Sequence, residues 1–75
     1  MSPQYRMLKA REVIRALTHL GFVEIRQRGS HRILQHPRGW STAGPDHRGE
    51  DISRGLLRRI LEEAHVSIED LFHAL

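Results

Sequence analysis

The dipeptide Gly29-Ser30 restricts this chain more than any other pair of residues in it. It stands between two alternating stretches that contain β-branched residues. Gly-X in that setting is the signature of a two-residue type II′ hairpin, whose backbone twist matches that of the strands it joins. The turn predicts strands over residues 22–28 and 31–36, with Arg28 opposite His31, Arg26 opposite Ile33 and Ile25 opposite Leu34. Successive side chains in a strand point to opposite faces. Val23, Ile25 and Leu34 are therefore expected on one apolar face, against helices. Glu24, Arg26, Arg28, His31, Ile33 and Gln35 are expected on the other, open face. A bulge would reverse the parity of one strand.

The flanking sequence reads as support for this hairpin. Ala10, Val13, Ile14, Leu17 and Leu20 recur at helical spacing, and Gly21 stands where a left-handed helix terminus is wanted. After the hairpin, Pro37-Arg38-Gly39 is a turn, and residues 40–43 read as a short third strand that Gly44-Pro45 ends. Residues 44–52 then form a polar loop. Ser53 is placed to cap a second helix with Leu56, Leu57, Ile60, Leu61 and Ala64 on one face. Ser67-Ile68-Glu69-Asp70 resembles a capping box and opens a short last helix that turns Ile68, Leu71, Phe72 and Leu75 inward. The expected fold class is α+β: a two-layer sandwich of a three-stranded antiparallel sheet with helices on one face.

Seventy-five residues form a single expected domain, 1–75, with residues 1–7 read as a frayed terminus. A chain of this size buries only about 60–65% of its unfolded surface, so a function on an open face suits it better than one needing a deep cavity. The absence of cysteine removes disulfides and thiolate chemistry. The opening residues carry no apolar run, and no stretch approaches the roughly 20 apolar residues of a membrane span. The expectation is a soluble, cytoplasmic protein with no membrane partner. Charge is unevenly spread: residues 1–48 hold nine Lys/Arg against three Asp/Glu, and residues 49–75 hold three against six. The basic part is where phosphates would be drawn.

His31 beside arginines is a workable arrangement for cutting RNA. An imidazole accepts and returns protons near neutral pH. Guanidinium groups hold a scissile phosphate and stabilise its developing charge. The 2′-hydroxyl supplies the nucleophile, so no metal is required. The plain reading is an exposed histidine on a basic surface. A non-catalytic module that grips structured RNA, or a basic face that docks an acidic protein, also fits the residues. Metal binding does not: His31 and His36 are five apart on a strand and face opposite ways. His19, His65 and His73 read as helix-surface residues, and no ligand spacing appears. His47, after Pro45, is a candidate second catalytic or RNA-contacting group. Trp40 and Tyr5 are candidates for stacking on bases, with packing the plainer role for Trp40. Arg54 stands near a helix N-terminus, where phosphate binds. Arg58 and Arg59 read as a solvated face, and Ser30 as a turn residue.

Several motifs at consistent spacing carry a family resemblance. They are Gly29-Ser30-His31, His36-Pro37-Arg38-Gly39 and Pro45-Asp46-His47-Arg48-Gly49, followed by Gly55-Leu56-Leu57-Arg58-Arg59-Ile60-Leu61 and Val66-Ser67-Ile68-Glu69-Asp70-Leu71. With the first helix, the likeness covers residues 8–75. The chain resembles the HicA toxins, mRNA interferases of type II toxin–antitoxin systems. The resemblance implies a fold like the double-stranded-RNA-binding domain (dsRBD-like), in the order helix, three strands, helix. It implies that His31 is catalytic, that mRNA or other RNA is the substrate, and that a HicB-type antitoxin covers the active face. No cofactor is implied. Arg26, Arg28, Arg32, Ser30 and His47 are the expected RNA-contacting residues. Two positions depart from the family: Thr42-Ala43-Gly44-Pro45 stands where a β-branched pair usually precedes the proline, and Ala10 lies near the point where relatives carry a polar helix cap.

Overall fold

The structure, a computed structural model, describes residues 5–46 and 49–75. The elements run α1 (Ala10–His19), β1 (Val23–Arg28), β2 (His31–Gln35), β3 (Ser41–Pro45), α2 (Arg54–Ala64) and α3 (Ile68–His73). The three strands form one antiparallel sheet in the order β1-β2-β3. Helices cover one face of it, giving the expected α+β architecture and element order.

The first helix starts without the usual small polar cap. Lys9, at the cap position, has no acceptor to offer the helix. Glu12 reaches back instead and accepts the Lys9 backbone N–H at 3.0 Å. The Arg6 guanidinium grips the same carboxylate with two hydrogen bonds, 3.1 and 2.7 Å. Tyr5 packs against Phe72 with ring centroids 4.7 Å apart, and Leu8 is buried. Residues 5–7, read as frayed from sequence, are thus held to α1 and α3; residues 1–4 lie outside the described residues. Leu8 also accepts the Ile52 N–H at 2.8 Å, and Lys9 bridges to Asp51. These contacts fasten the stretch leading into α2.

Both longer helices end in the same way. The Phe22 N–H bonds the Leu17 carbonyl and Gly21 N–H bonds Thr18, closing α1 around a left-handed Gly21 (φ +101°). A side chain at Gly21 would also meet the His36 ring at 3.0 Å. At the end of α2, Val66 bonds Leu61 and His65 bonds Glu62, but the left-handed position is His65, at φ +58°. That conformation is costly for a residue with a Cβ. The ring is held by stacking on Trp40, 4.7 Å away, which in turn stacks on His36 at 5.2 Å, and His36 meets Phe22 edge-on at 5.1 Å. His65 is exposed at the end of α2, as its helix-surface reading expects, and its ring joins that end to the turn between β2 and β3. Trp40 is a packing residue, as its plainer reading had it.

The core lies between the helices and the inner face of β2 and β3. Leu34 is wholly buried there with Val13, Leu17, Phe22, Ile60 and Leu71. The third strand is more regular than expected. It runs through Gly44 and Pro45 and pairs with β2 along its whole length. Gly44 lies against Ile14, where a side chain would be in ordinary contact distance. Buried Thr42 donates to Glu63 at 2.8 Å, and Arg59 donates to the Ala43 carbonyl at 3.1 Å and pairs with Glu63. Arg59, read as part of a solvated face, instead fastens α2 to β3.

The first strand departs from expectation. Glu24 faces Leu34, Arg26 faces Ile33, and Ile25 is left over between them as a bulge. Ahead of that bulge the parity is reversed. Val23 and Ile25, expected in the core, are 59% and 51% exposed, and every residue of β1 is exposed. The helices lie over β2 and β3, so β1 has no layer beneath it to bury apolar groups.

The Arg6 hydrogen bonds, with help from the Lys9 N–H, hold the Glu12 carboxyl down at about 2. A depressed carboxyl stabilises the fold above its ordinary value and loses that contribution as pH falls through the native one. Glu12→Gln is expected to lower the melting temperature at pH 7. The gap to the parent chain closes between about pH 4.5 and pH 2, as measured by thermal melts across that range.

Candidate active site

The hairpin tip matches its sequence reading. Arg28 lies opposite His31, so Gly29-Ser30 is a two-residue turn. Gly29 has φ +58°, while Ser30 does not have positive φ, which is the pattern of a type II′ turn and not of type I′. The parity of β2 then decides which side the histidine takes. Leu34 points into the core, so Arg32 shares its face, and His31, Ile33 and Gln35 face outward. His31 is exposed.

Two arginines share that outer face. Arg28 is directly across from His31, where opposed Cβ atoms sit about 4.5–5.5 Å apart. Arg26, across from Ile33, is its diagonal neighbour. Both are exposed, and neither enters a salt bridge among the described residues. On the other side of His31 lies Pro45 of β3. The arrangement is an imidazole with two guanidinium groups on its β1 side, on an open surface. It suits an anionic ligand laid across the strands, with a proton acceptor and donor at its middle.

The bulge at Ile25 sharpens this field. Without it, Glu24 would stand on the outer face beside Arg26, as the unbroken alternation predicts. With it, Glu24 shares the inner face with Leu34 and approaches Arg32 Nε at 3.4 Å. The carboxylate expected among the cations is thereby removed from them.

Arg32 is placed away from His31, on the inner face and half-buried. Its Nε lies 2.8 Å from Asp46 Oδ1, though without hydrogen-bond alignment. The structure therefore does not join Arg32 to the cationic face, and its charge is already matched by two carboxylates. Ser30 is exposed at the turn, and its carbonyl accepts the Asp46 N–H at 2.6 Å. His47 lies outside the described residues. Tyr5 and Trp40, candidates for base stacking, are engaged with Phe72 and with His36 and His65. His36 itself follows β2, and its Nδ1 accepts the Arg38 N–H at 3.1 Å. Asp46 stands in the Pro45–Gly49 motif but, like Gln27, has no site role in the residue pattern alone. Their contacts link positions 19 apart in the chain, and no local spacing signals such a pair.

The turn itself is testable. Gly29 has open space where a side chain would project, so a substitution costs conformational energy alone. Gly29→Ala is expected to destabilise the chain by about 1–2 kcal/mol, read by urea denaturation.

No curated protein matches the chain. The family model described as the HicA toxin of bacterial toxin–antitoxin systems matches residues 10–66. That span runs from the start of α1 through the hairpin and its turn to the end of α2, so it contains His31, Arg26 and Arg28 in their structural setting. The chain belongs to the HicA toxin family.

Proposed function

We propose that this protein is a toxin endoribonuclease that cleaves mRNA by the acid/base chemistry of His31, without a metal, and that a HicB-type antitoxin neutralises it by covering the same face. The observation that carries this reading is the exposed imidazole opposite Arg28 and diagonal to Arg26 on a sheet surface, in a chain of a toxin family. A ribose 2′-hydroxyl gives its proton to His31 and attacks the adjacent phosphorus. The new O2′–P bond forms as the P–O5′ bond breaks, and the proton returns to the departing 5′-oxygen. Arg26 and Arg28 hold the non-bridging oxygens and offset the charge that builds on them. His31 is the catalytic residue of this scheme. Ser30 and His47 are candidate RNA contacts at the rim. Arg32, on the opposite face with its Nε set against Asp46 and Glu24, has no part in this scheme.

The second reading is an RNA-binding module of dsRBD-like fold that grips without cutting. The cationic face favours it as much as it favours the nuclease. The two part on turnover. Purified protein incubated with RNA in excess chelator is expected to cleave, and His31→Ala to cleave about 10²–10⁴-fold more slowly while still binding. Binding is expected to weaken steeply as salt rises. RNA bound but left intact by the parent chain supports the module. Undiminished cleavage by the His31→Ala variant overturns the mechanism.

A further inference from the structure

We infer that Asp46 is a positioning residue for His31, through a latch it forms beneath the hairpin tip. The inference rests on the nuclease reading, but its structural half stands apart from it.

The tip needs such a latch. All of β1 is solvent-exposed, and His31 is the first residue of β2, directly after the turn. A hairpin end with no layer packed beneath it opens at little cost, and an imidazole on a loose tip samples many orientations. Proton transfer to a bound reactant requires the reverse, a group held close to its working position.

Asp46 supplies three ties from one residue. Its backbone N–H donates to the Ser30 carbonyl at 2.6 Å, extending the β2–β3 pairing past Pro45 and onto the turn. Its Oδ2 accepts from Gln27 Nε2 at 2.8 Å, reaching across to β1. Its Oδ1 lies 2.8 Å from Arg32 Nε on β2. Gln27 also donates to the Gly29 carbonyl at 3.3 Å, and Glu24 Oε1 lies 3.4 Å from the same Arg32 Nε. Gln27 and Arg32 are cross-strand partners one step inside the Arg28–His31 pair. The latch therefore clamps all three strands on the inner face, under the position where His31 projects from the outer one. Pro45, the partner of His31, is covalently joined to it.

This also gives Arg32 a role. Its guanidinium acts in the clamp and does not meet the ligand. Asp46 and Arg32 touch no reacting atom in this scheme, so their loss should lower turnover without weakening RNA binding.

The test uses Asp46→Ala and Asp46→Asn in the full chain, with RNA cleavage kinetics and amide hydrogen exchange. Asp46→Ala is expected to lower kcat about 10–100-fold with KM for RNA changed less than about threefold. Amides of residues 27–32 are expected to exchange faster, and those of α1 and α2 to stay as they were. Asp46→Asn keeps an acceptor for Gln27 and is expected to recover part of both losses, which also covers the case in which the alanine variant unfolds. A rise in KM with kcat unchanged overturns the proposal, because it would place the latch residues on the ligand. Unchanged exchange at the tip overturns it as well. If the parent chain does not cleave RNA, the nuclease reading fails, and the exchange experiment still decides whether Asp46 holds the tip.

Discussion

Leu34 fixes the geometry on which the rest depends. It is the fully buried residue of the central strand, in one core with side chains of α1, α2 and α3. Strand parity admits no compromise: a one-residue slip would send Leu34 to water and carry His31 into the core. Burying a leucine-sized side chain stabilises a fold by about 1.5–3 kcal/mol, so the apolar contact three residues away holds the imidazole outside. Exposure of the histidine is thus a consequence of packing on the opposite side of the sheet, and the site needs no pocket of its own.

The bulge at Ile25 shows how the same sheet sorts its charges. It leaves the end of β1 nearest the turn in the register set by Gly29-Ser30, so Arg26 and Arg28 keep company with His31. It reverses the far end, turning Glu24 toward Arg32 and Val23 outward. The cost is visible in two exposed aliphatic side chains on a strand that no helix covers. The gain is an outer face from which a neighbouring carboxylate has been taken away. Bulges commonly re-aim side chains next to functional sites, and this one separates a mixed inner cluster from a cationic outer one.

Support for the sheet comes from contacts that hold β3 and the turn before it to the helices. Phe22, His36, Trp40 and His65 form a stack from the start of β1 to the end of α2. Arg59, Glu63 and Thr42 do the same along the length of β3. With β3 fastened to α2 and β2 paired to it at every residue, the site rests on two well-supported strands and one that is open. Asp46 lies where the supported part meets the open one.

Much of this was legible in the residue order. Gly29-Ser30 named the turn, the helical spacings in residues 10–20 and 56–64 named the apolar faces, and Gly21, Ser53 and Ser67 named the helix ends. All of these are local, set by backbone conformation within a few residues. The outward placement of His31 followed from the turn and from Leu34, which is also short-range reasoning. The family likeness rested on motifs in that same order. What alternation could not show was where the helices would stop covering the sheet. Only the tertiary structure decided that β1 lies beyond them, that Ile25 bulges, that Glu24 and Arg32 meet on the inner face, and that Asp46 closes on Arg32 and Gln27. Those outcomes depend on distances between segments far apart in the chain, and a residue's neighbours in sequence carry no record of them.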